Sequence, residues 1–203
     1  MTAPLFAYSA STQTLILAST SPYRKALLDR LGVPFDIVAP EVEETVRADE
    51  SPSTQASRLA RAKAVAVSLR HPTAWVIGSD QVAHSGGHRY GKPGSHARAI
   101  EQLQELSGRE VQFETAVCLV LGRHGPVHEA LVPTTLKFRP LSLAEIERYV
   151  DRDDPIACAG AAKSESLGIA LLEWVRSDDP TALIGLPLIA LTTLLRQAGY
   201  TLP

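Results

Sequence analysis

Three groups of residues in this 203-residue chain have the types and spacing that phosphate chemistry requires. The first is Ser19-Thr20-Ser21-Pro22, with Arg24 just behind it. A short apolar run (residues 15–18) that ends in hydroxyl residues and enters a helix presents free backbone N–H groups to an anion. The helix end adds roughly half a positive charge. Arg24, in the first turn, can fork onto phosphate oxygens. The second group is acidic: Asp80, at the end of the apolar run 75–78, and Glu43 and Glu44 in a loop after residue 40. Carboxylate oxygens beside a phosphate suit Mg²⁺ or Mn²⁺, which keeps several waters and bridges to substrate. The third group is the cations Lys63, Lys92 and Lys163, of which Lys92 is held most tightly, between Gly91 and Pro93.

Other chemistries lack their residues. There is no G-x-G-x-x-G for a dinucleotide and no G-x-S-x-G elbow for a serine hydrolase. Gly160-Ala161-Ala162-Lys163-Ser164 looks like a phosphate loop, but Ala162 stands where a glycine must precede the lysine, and the spacing is wrong. His84 and His88 flank Gly86-Gly87, and His124 and His128 flank a similar turn, so these i, i+4 pairs do not read as metal ligands on a helix.

These residues need elements to hold them. Residues 15–18 read as a buried strand, and Ser21 with Pro22 opens a helix that Gly32 ends. Residues 35–38 read as a second strand. Ser53 or Thr54 starts an Ala-rich helix that reaches about Arg70. Residues 75–78 form a third strand that delivers Ser79-Asp80-Gln81 at its C-terminal end, the usual place for sites in open α/β sheets. Gly86-Gly87 marks a hairpin, and Ser95 caps the next helix. Residues 110–121 and 127–138 alternate as an antiparallel pair, Ser142-Leu143-Ala144-Glu145 is a capping box, residues 169–174 return as a strand, and a final helix runs from Pro187 to Gln197. Strands interleave with helices but hairpins interrupt the rhythm, which predicts an α/β fold on a mixed sheet.

With 20 Lys+Arg against 22 Asp+Glu, the net charge of −2 lacks the basic excess expected of a protein that binds polymeric nucleic acid or a membrane surface. A local gathering of cations can still hold a small anion. A chain this long buries about 70% of its unfolded surface and needs no disulfide staple, so Cys118 and Cys158 read as two buried, reduced thiols. Residues 1–14 have no basic residue and no apolar core of secretory length, and nowhere do ~18 apolar residues run together. The expectation is a soluble cytoplasmic protein.

Residues 15–28 (LILASTSPYRKALL), 41–44, 78–82 (GSDQV), 91–93 (GKP) and 163–168 (KSESLG) together resemble the Maf family of nucleotide pyrophosphatases. The likeness runs in order from about residue 14 to residue 198. It implies an elongated, two-lobed single domain around a central cleft, of the Maf/ITPase-like kind, over residues 14–203, with residues 1–13 a flexible tail. It further implies a divalent cation, a small nucleotide substrate and a fold that often pairs as a homodimer. By the resemblance, Asp80 is the catalytic proton acceptor. Ser19, Arg24, Glu44, Lys63 and Lys92 line the phosphate and metal site, with Glu44 and Asp80 on the metal. Tyr23, Gln81 and Glu165 set base specificity. Tyr23, Gln81 and Lys163-Ser164-Glu165 are similar to the branch that acts on 7-methyl-GTP, releasing 7-methyl-GMP and pyrophosphate. The branch acting on dTTP and UTP typically has arginine at position 23. A third alternative is a nucleotide-binding regulator of septum formation. Ser166 departs from a glycine frequent in the branch, and Tyr23 from its usual tryptophan. The 7-methyl-GTP branch has a physical rationale: N7-methylation makes guanine a cation, which an aromatic face stabilises by roughly 0.5–2 kcal/mol. Glu165 can accept hydrogen bonds from the guanine N1–H and 2-amino edge.

Overall fold

The computed structural model describes residues 13–202, so all but Gln13 of the tail expected over residues 1–13 lies outside the described residues. β1 (Leu15–Leu17) pairs in parallel with β2 (Asp36–Ile37) on one side and β3 (Trp75–Ser85) on the other. From β3 the sheet continues antiparallel through β5 (Glu110–Leu121), β6 (Val127–Phe138) and β7 (Leu172–Ser177). The order is β2-β1-β3-β5-β6-β7, with β4 (His88–Tyr90) folded back on the end of β3. Gly86 and Gly87 make that hairpin at φ +56° and +82°, where a side chain is strained. The mixed sheet and α/β class agree with the sequence, as do the bounds of the 110–121 and 127–138 pair.

Three apolar clusters cover the sheet. On one face, α2 (Pro52–Ser68) lays Ala56, Ala60, Ala64 and Val67 against Ile16, Val76, Val82 and Cys118. Its alanines allow very close contact: a Cβ on Gly78 would come within 2.2 Å of the Ala60 carbonyl oxygen and 2.6 Å of the Ala64 nitrogen. The other face carries two clusters in line. Leu27 and Leu28 of α1 (Pro22–Asp29) and Leu191, Leu194 and Leu195 of α5 (Leu188–Gln197) pack on Trp75, Ile77, Val117 and Leu119. Further along the same strands, α3 (His96–Leu106) and α4 (Leu143–Asp153) cover Ala83, Val111, Phe113, Leu136 and Phe138. Thr115, fully buried between Phe113 and Val117, marks a polar seam between these clusters.

Several boundaries differ from the expectations. The strand expected at 35–38 pairs only over Asp36–Ile37, and α2 starts earlier, capped by Ser51 with Pro52 in its first turn. β3 does not end near residue 78 but runs to Ser85, because β5 pairs with it from Trp75 to His84 and β4 holds its end. The strand expected at 169–174 begins at Leu172, after a tight helical turn over Leu167–Leu171. Cys118 and Cys158 are both free; Cys118 is buried as expected, but Cys158 is only partly buried because it lines a cleft. Among the described residues no helix is long and apolar enough to cross a membrane.

Candidate active site

The cleft arises from unequal strand lengths. β1 pairs with β3 only over residues 75–77, and β4 only over residues 83–85. Residues 78–82 therefore have β5 along one edge and no strand along the other. Side chains alternate across a strand, so this open stretch sends groups to both faces of the sheet. A cleft of about 760 Å³ opens there, lined among others by Ser19, Tyr23, Arg24, Glu44, Lys63, Asp80, Gln81, Lys92 and Glu165. These nine meet in one cleft, whereas Glu43 and Lys163, also singled out in the sequence, are not part of its lining. Asp80 reaches it from the interior of a strand, not from the strand end where it was expected.

On the α2 face, Asp80 is 7% exposed and Lys63 5%. Lys63 Nζ donates to Asp80 Oδ1 at 2.6 Å and pairs with Glu44 Oε1 at 2.7 Å. The contact of Gly78 with Ala60 and Ala64 brings α2 close enough for this. Burial pushes the Asp80 carboxyl above the ordinary carboxylate range, against the pull of Lys63 and Arg24. Burial pushes Glu44 upward too, but the hydrogen bond and charge of Lys63, with Lys92 and Arg24 behind it, win and hold Glu44 low. Lys92 stands exposed in the cleft lining.

The donor chemistry of this face suits a hard cation in part. Among the described residues no three His, Cys, Asp or Glu side chains converge into a protein-only cage. Two carboxylates on one ammonium are instead the kind of set that Mg²⁺ or Mn²⁺ uses when water and phosphate oxygens supply the remaining ligands.

Around the Ser19 turn the expectation of free amides needs correction. Ser21 N–H donates to Ser19 Oγ at 3.1 Å, Arg24 N–H donates to Ser21 Oγ at 3.4 Å, and Ser19 N–H donates to the Leu17 carbonyl at 3.0 Å. The turn satisfies these donors itself and is rigid for that reason. Arg24 Nε donates to the Gly185 carbonyl at 2.8 Å, which leaves the terminal nitrogens of its guanidinium without a hydrogen-bond partner among the described residues.

On the other face, Tyr23 meets Cys158, Lys163 and Glu165. Burial first, and then the Cys158 thiol, push the Tyr23 phenol up to about 12, so its ring stays neutral. Lys163 Nζ lies 6.0 Å from the Tyr23 ring centroid and also donates to the Asp153 carbonyl. Partial burial raises the Glu165 carboxyl despite Lys163. Ser166 Oγ lies 2.8 Å from both oxygens of Asp153, which ties this loop to the end of α4. Gln81 is less available than expected. Its amide nitrogen faces Thr115 Oγ1 at 2.9 Å and the carbonyls of Ala182 and Leu183 at 2.9 and 3.1 Å.

Some lining residues were not anticipated. Gln55, Leu59 and Lys63 recur every fourth position on α2, a spacing that could have placed Gln55 in the cleft. Arg89, two residues before Gly91, also lines it and donates to the Glu50 carbonyl. The carbonyls of residues 182–185 had no signal, since a backbone acceptor is the same in every residue.

The Maf-like protein family model matches residues 14–198. The chain is 57% identical to a 7-methyl-GTP pyrophosphatase of Xanthomonas axonopodis pv. citri, over 93% of this chain and 98% of that one. It is 56% identical to a 7-methyl-GTP pyrophosphatase of Aromatoleum aromaticum, over 93% and 97%. A protein of the same name from Burkholderia pseudomallei is 53% identical over 96% and 92%. Among solved structures, the Ham1 protein of Staphylococcus aureus is similar, with a TM-score of 0.45 and 14% identity over 63% of this chain and 73% of that one.

Proposed function

Since the chain belongs to the Maf family, we infer that it hydrolyses the α–β phosphoanhydride of 7-methyl-GTP. The products are 7-methyl-GMP and pyrophosphate. The observation that carries this reading is a buried carboxylate, Asp80, bonded to a buried ammonium, Lys63, at the open edge of β3. In this reading water attacks the α-phosphorus. A new P–O bond forms there, the bond from the α-phosphorus to the bridging oxygen breaks, and that oxygen leaves on the pyrophosphate. Asp80 takes the proton of the water. A carboxyl raised by burial is a better base near neutrality than an ordinary one.

Arg24, Lys63 and Lys92 neutralise the charge that grows on the leaving pyrophosphate. Ser19 holds the turn that shapes the phosphate end. Glu44 and Asp80 would hold a divalent cation, which supplies positive charge to the phosphate oxygens when bound. On the opposite face Tyr23 offers a neutral aromatic surface to the cationic base, and Glu165 accepts from its N1–H and 2-amino edge. Gln81 shapes that pocket through the 182–183 carbonyls it holds.

A panel of 7-methyl-GTP, GTP, dTTP and UTP with Mg²⁺, with Mn²⁺ and without metal tests the reading. Release of pyrophosphate is expected to be fastest from 7-methyl-GTP. Equal or faster turnover of dTTP or UTP overturns the assignment of substrate. Asp80→Asn is expected to lower kcat by about 10²–10⁴-fold with the fold intact by circular dichroism. Undiminished release would remove Asp80 from the mechanism.

A further inference from the structure

Asp179 lies outside the cleft and is only 2% exposed, yet it governs the backbone on which two cleft side chains rest. Four neutral donors surround its carboxylate. Thr181 contributes its N–H at 3.0 Å and its hydroxyl at 2.7 Å to Oδ1. The N–H groups of Ile189 and Ala190, in the first turn of α5, donate to Oδ2 at 2.7 and 3.3 Å. Asp179 therefore caps a helix that starts nine residues after it, and the negative charge sits where the helix dipole favours it. The Thr181 hydroxyl oxygen also accepts the Leu188 N–H at 2.7 Å and lies 2.9 Å from the Leu186 carbonyl. One carboxylate and one hydroxyl thus close residues 181–188 into a loop.

The outer side of this loop is a row of acceptors. The Ala182 carbonyl receives Thr115 Oγ1 at 3.0 Å and Gln81 Nε2 at 2.9 Å. The Gly185 carbonyl receives Ser79 Oγ at 2.9 Å and Arg24 Nε at 2.8 Å. Gly185 itself sits at φ +121°, a conformation side chains avoid, so the carbonyl is aimed by a backbone that other residues adopt only under strain. We propose that Asp179 is a positioning residue: by closing the 181–188 loop it fixes the carbonyls that hold Arg24 and Gln81 in the cleft wall.

A carboxylate is needed for this. Asparagine would keep one acceptor and turn an NH₂ group against the N–H donors of either Thr181 or α5. The loop would open at one end, and Arg24 would lose its fixed orientation toward the phosphates. The role of Arg24 here rests on the reading given under Proposed function.

The test is a double-mutant cycle of Asp179→Asn and Arg24→Gln, read by calorimetric binding of inorganic tripolyphosphate and by kcat/KM for 7-methyl-GTP. Asp179→Asn is expected to weaken both, on the order of tenfold to a hundredfold, as misplacement of a binding group does. In tripolyphosphate binding, which reads Arg24 and not Gln81, the double variant is expected to lose no more than Arg24→Gln alone, to within about twofold, because both changes remove the same contact. Binding losses that multiply overturn the proposal. So does a folded Asp179→Asn protein that melts lower but binds tripolyphosphate like the parent. If Asp179→Asn does not fold, Thr181→Val takes its place in the cycle with the same two outcomes. A parent chain that binds tripolyphosphate but releases pyrophosphate from no nucleotide would sink the proposed activity and leave the binding cycle readable.

Discussion

Lys63 joins two acids of the cleft. Its ammonium touches a buried carboxylate at 2.6 Å and an exposed one, with a side chain 58% accessible, at 2.7 Å. These two acids respond differently to the same cation. Glu44 is held low, whereas burial keeps Asp80 high even with Lys63 against it. Removing the cation with Lys63→Met takes away the main force that opposes burial, so the Asp80 pKa rises further. The base form of Asp80 is then present only at higher pH. The acidic limb of the kcat/KM profile is expected to move to higher pH, and activity at pH 7 to fall on the order of 100-fold. Lys63→Arg, which keeps the charge, is expected to move the limb far less. A limb that stays in place in Lys63→Met would show that Asp80 does not set it. The types of these residues were legible in the sequence, where Asp80, Glu44 and Lys63 all stood out. Their pairing was not, because it depends on the separation between a strand and a helix.

That separation is decided at the level of elements by residues with almost no side chain. Gly78 faces the Ala60 and Ala64 backbone of α2, where an added Cβ would lie 2.2 Å from an oxygen and 2.6 Å from a nitrogen. Backbone cannot rotate away as a flexible side chain can, so Gly78→Ala must push α2 off β3. Overpacking of this kind costs about 1–3 kcal/mol, and more where the neighbour is rigid. The same push draws Lys63 from Asp80. Gly78→Ala is therefore expected to lower the midpoint of urea unfolding and to lower kcat in the fraction still folded. A stable protein with full kcat would mean that the spacing of α2 and β3 is immaterial to the site. The elements themselves were mostly legible: hairpin glycines, capping serines and apolar alternation all marked their places. The open edge at 78–82 was not, since it follows from where β1 stops and β4 starts along a strand that β5 pairs with from Trp75 to His84. Taking β3 to end near residue 78 put Asp80 at the right mouth for the wrong reason.

Across the whole molecule, the net charge of −2 hides an uneven distribution. Even-numbered β3 residues point to α2, where Lys63 joins Asp80 to Glu44 and Lys92 acts on Glu44. Odd-numbered ones point to the other face, where Gln81 and Ala83 adjoin the segment that carries Cys158, Lys163 and Glu165. In the proposed function, one nucleotide spans the strand edge with its phosphates on the first side and its base on the second. The charges on the two sides act locally: Glu165 responds to Lys163 and Asp153, and Lys92 acts on Glu44. Recognition of base and of phosphate should then be separable. In a cycle of Glu165→Gln and Lys92→Met, Glu165→Gln alone is expected to reduce kcat/KM for 7-methyl-GTP more than for GTP, which presents the same N1–H and 2-amino edge but not the positive charge. Lys92→Met is expected to reduce both in similar proportion. In the double variant the two losses should multiply to within about twofold, as they do for sites that share no partner. This is the opposite of the result expected for Asp179 and Arg24, which act on one contact. A tenfold departure from the product would mean that base and phosphate are read by one coupled site, and that the edge of β3 does not divide them.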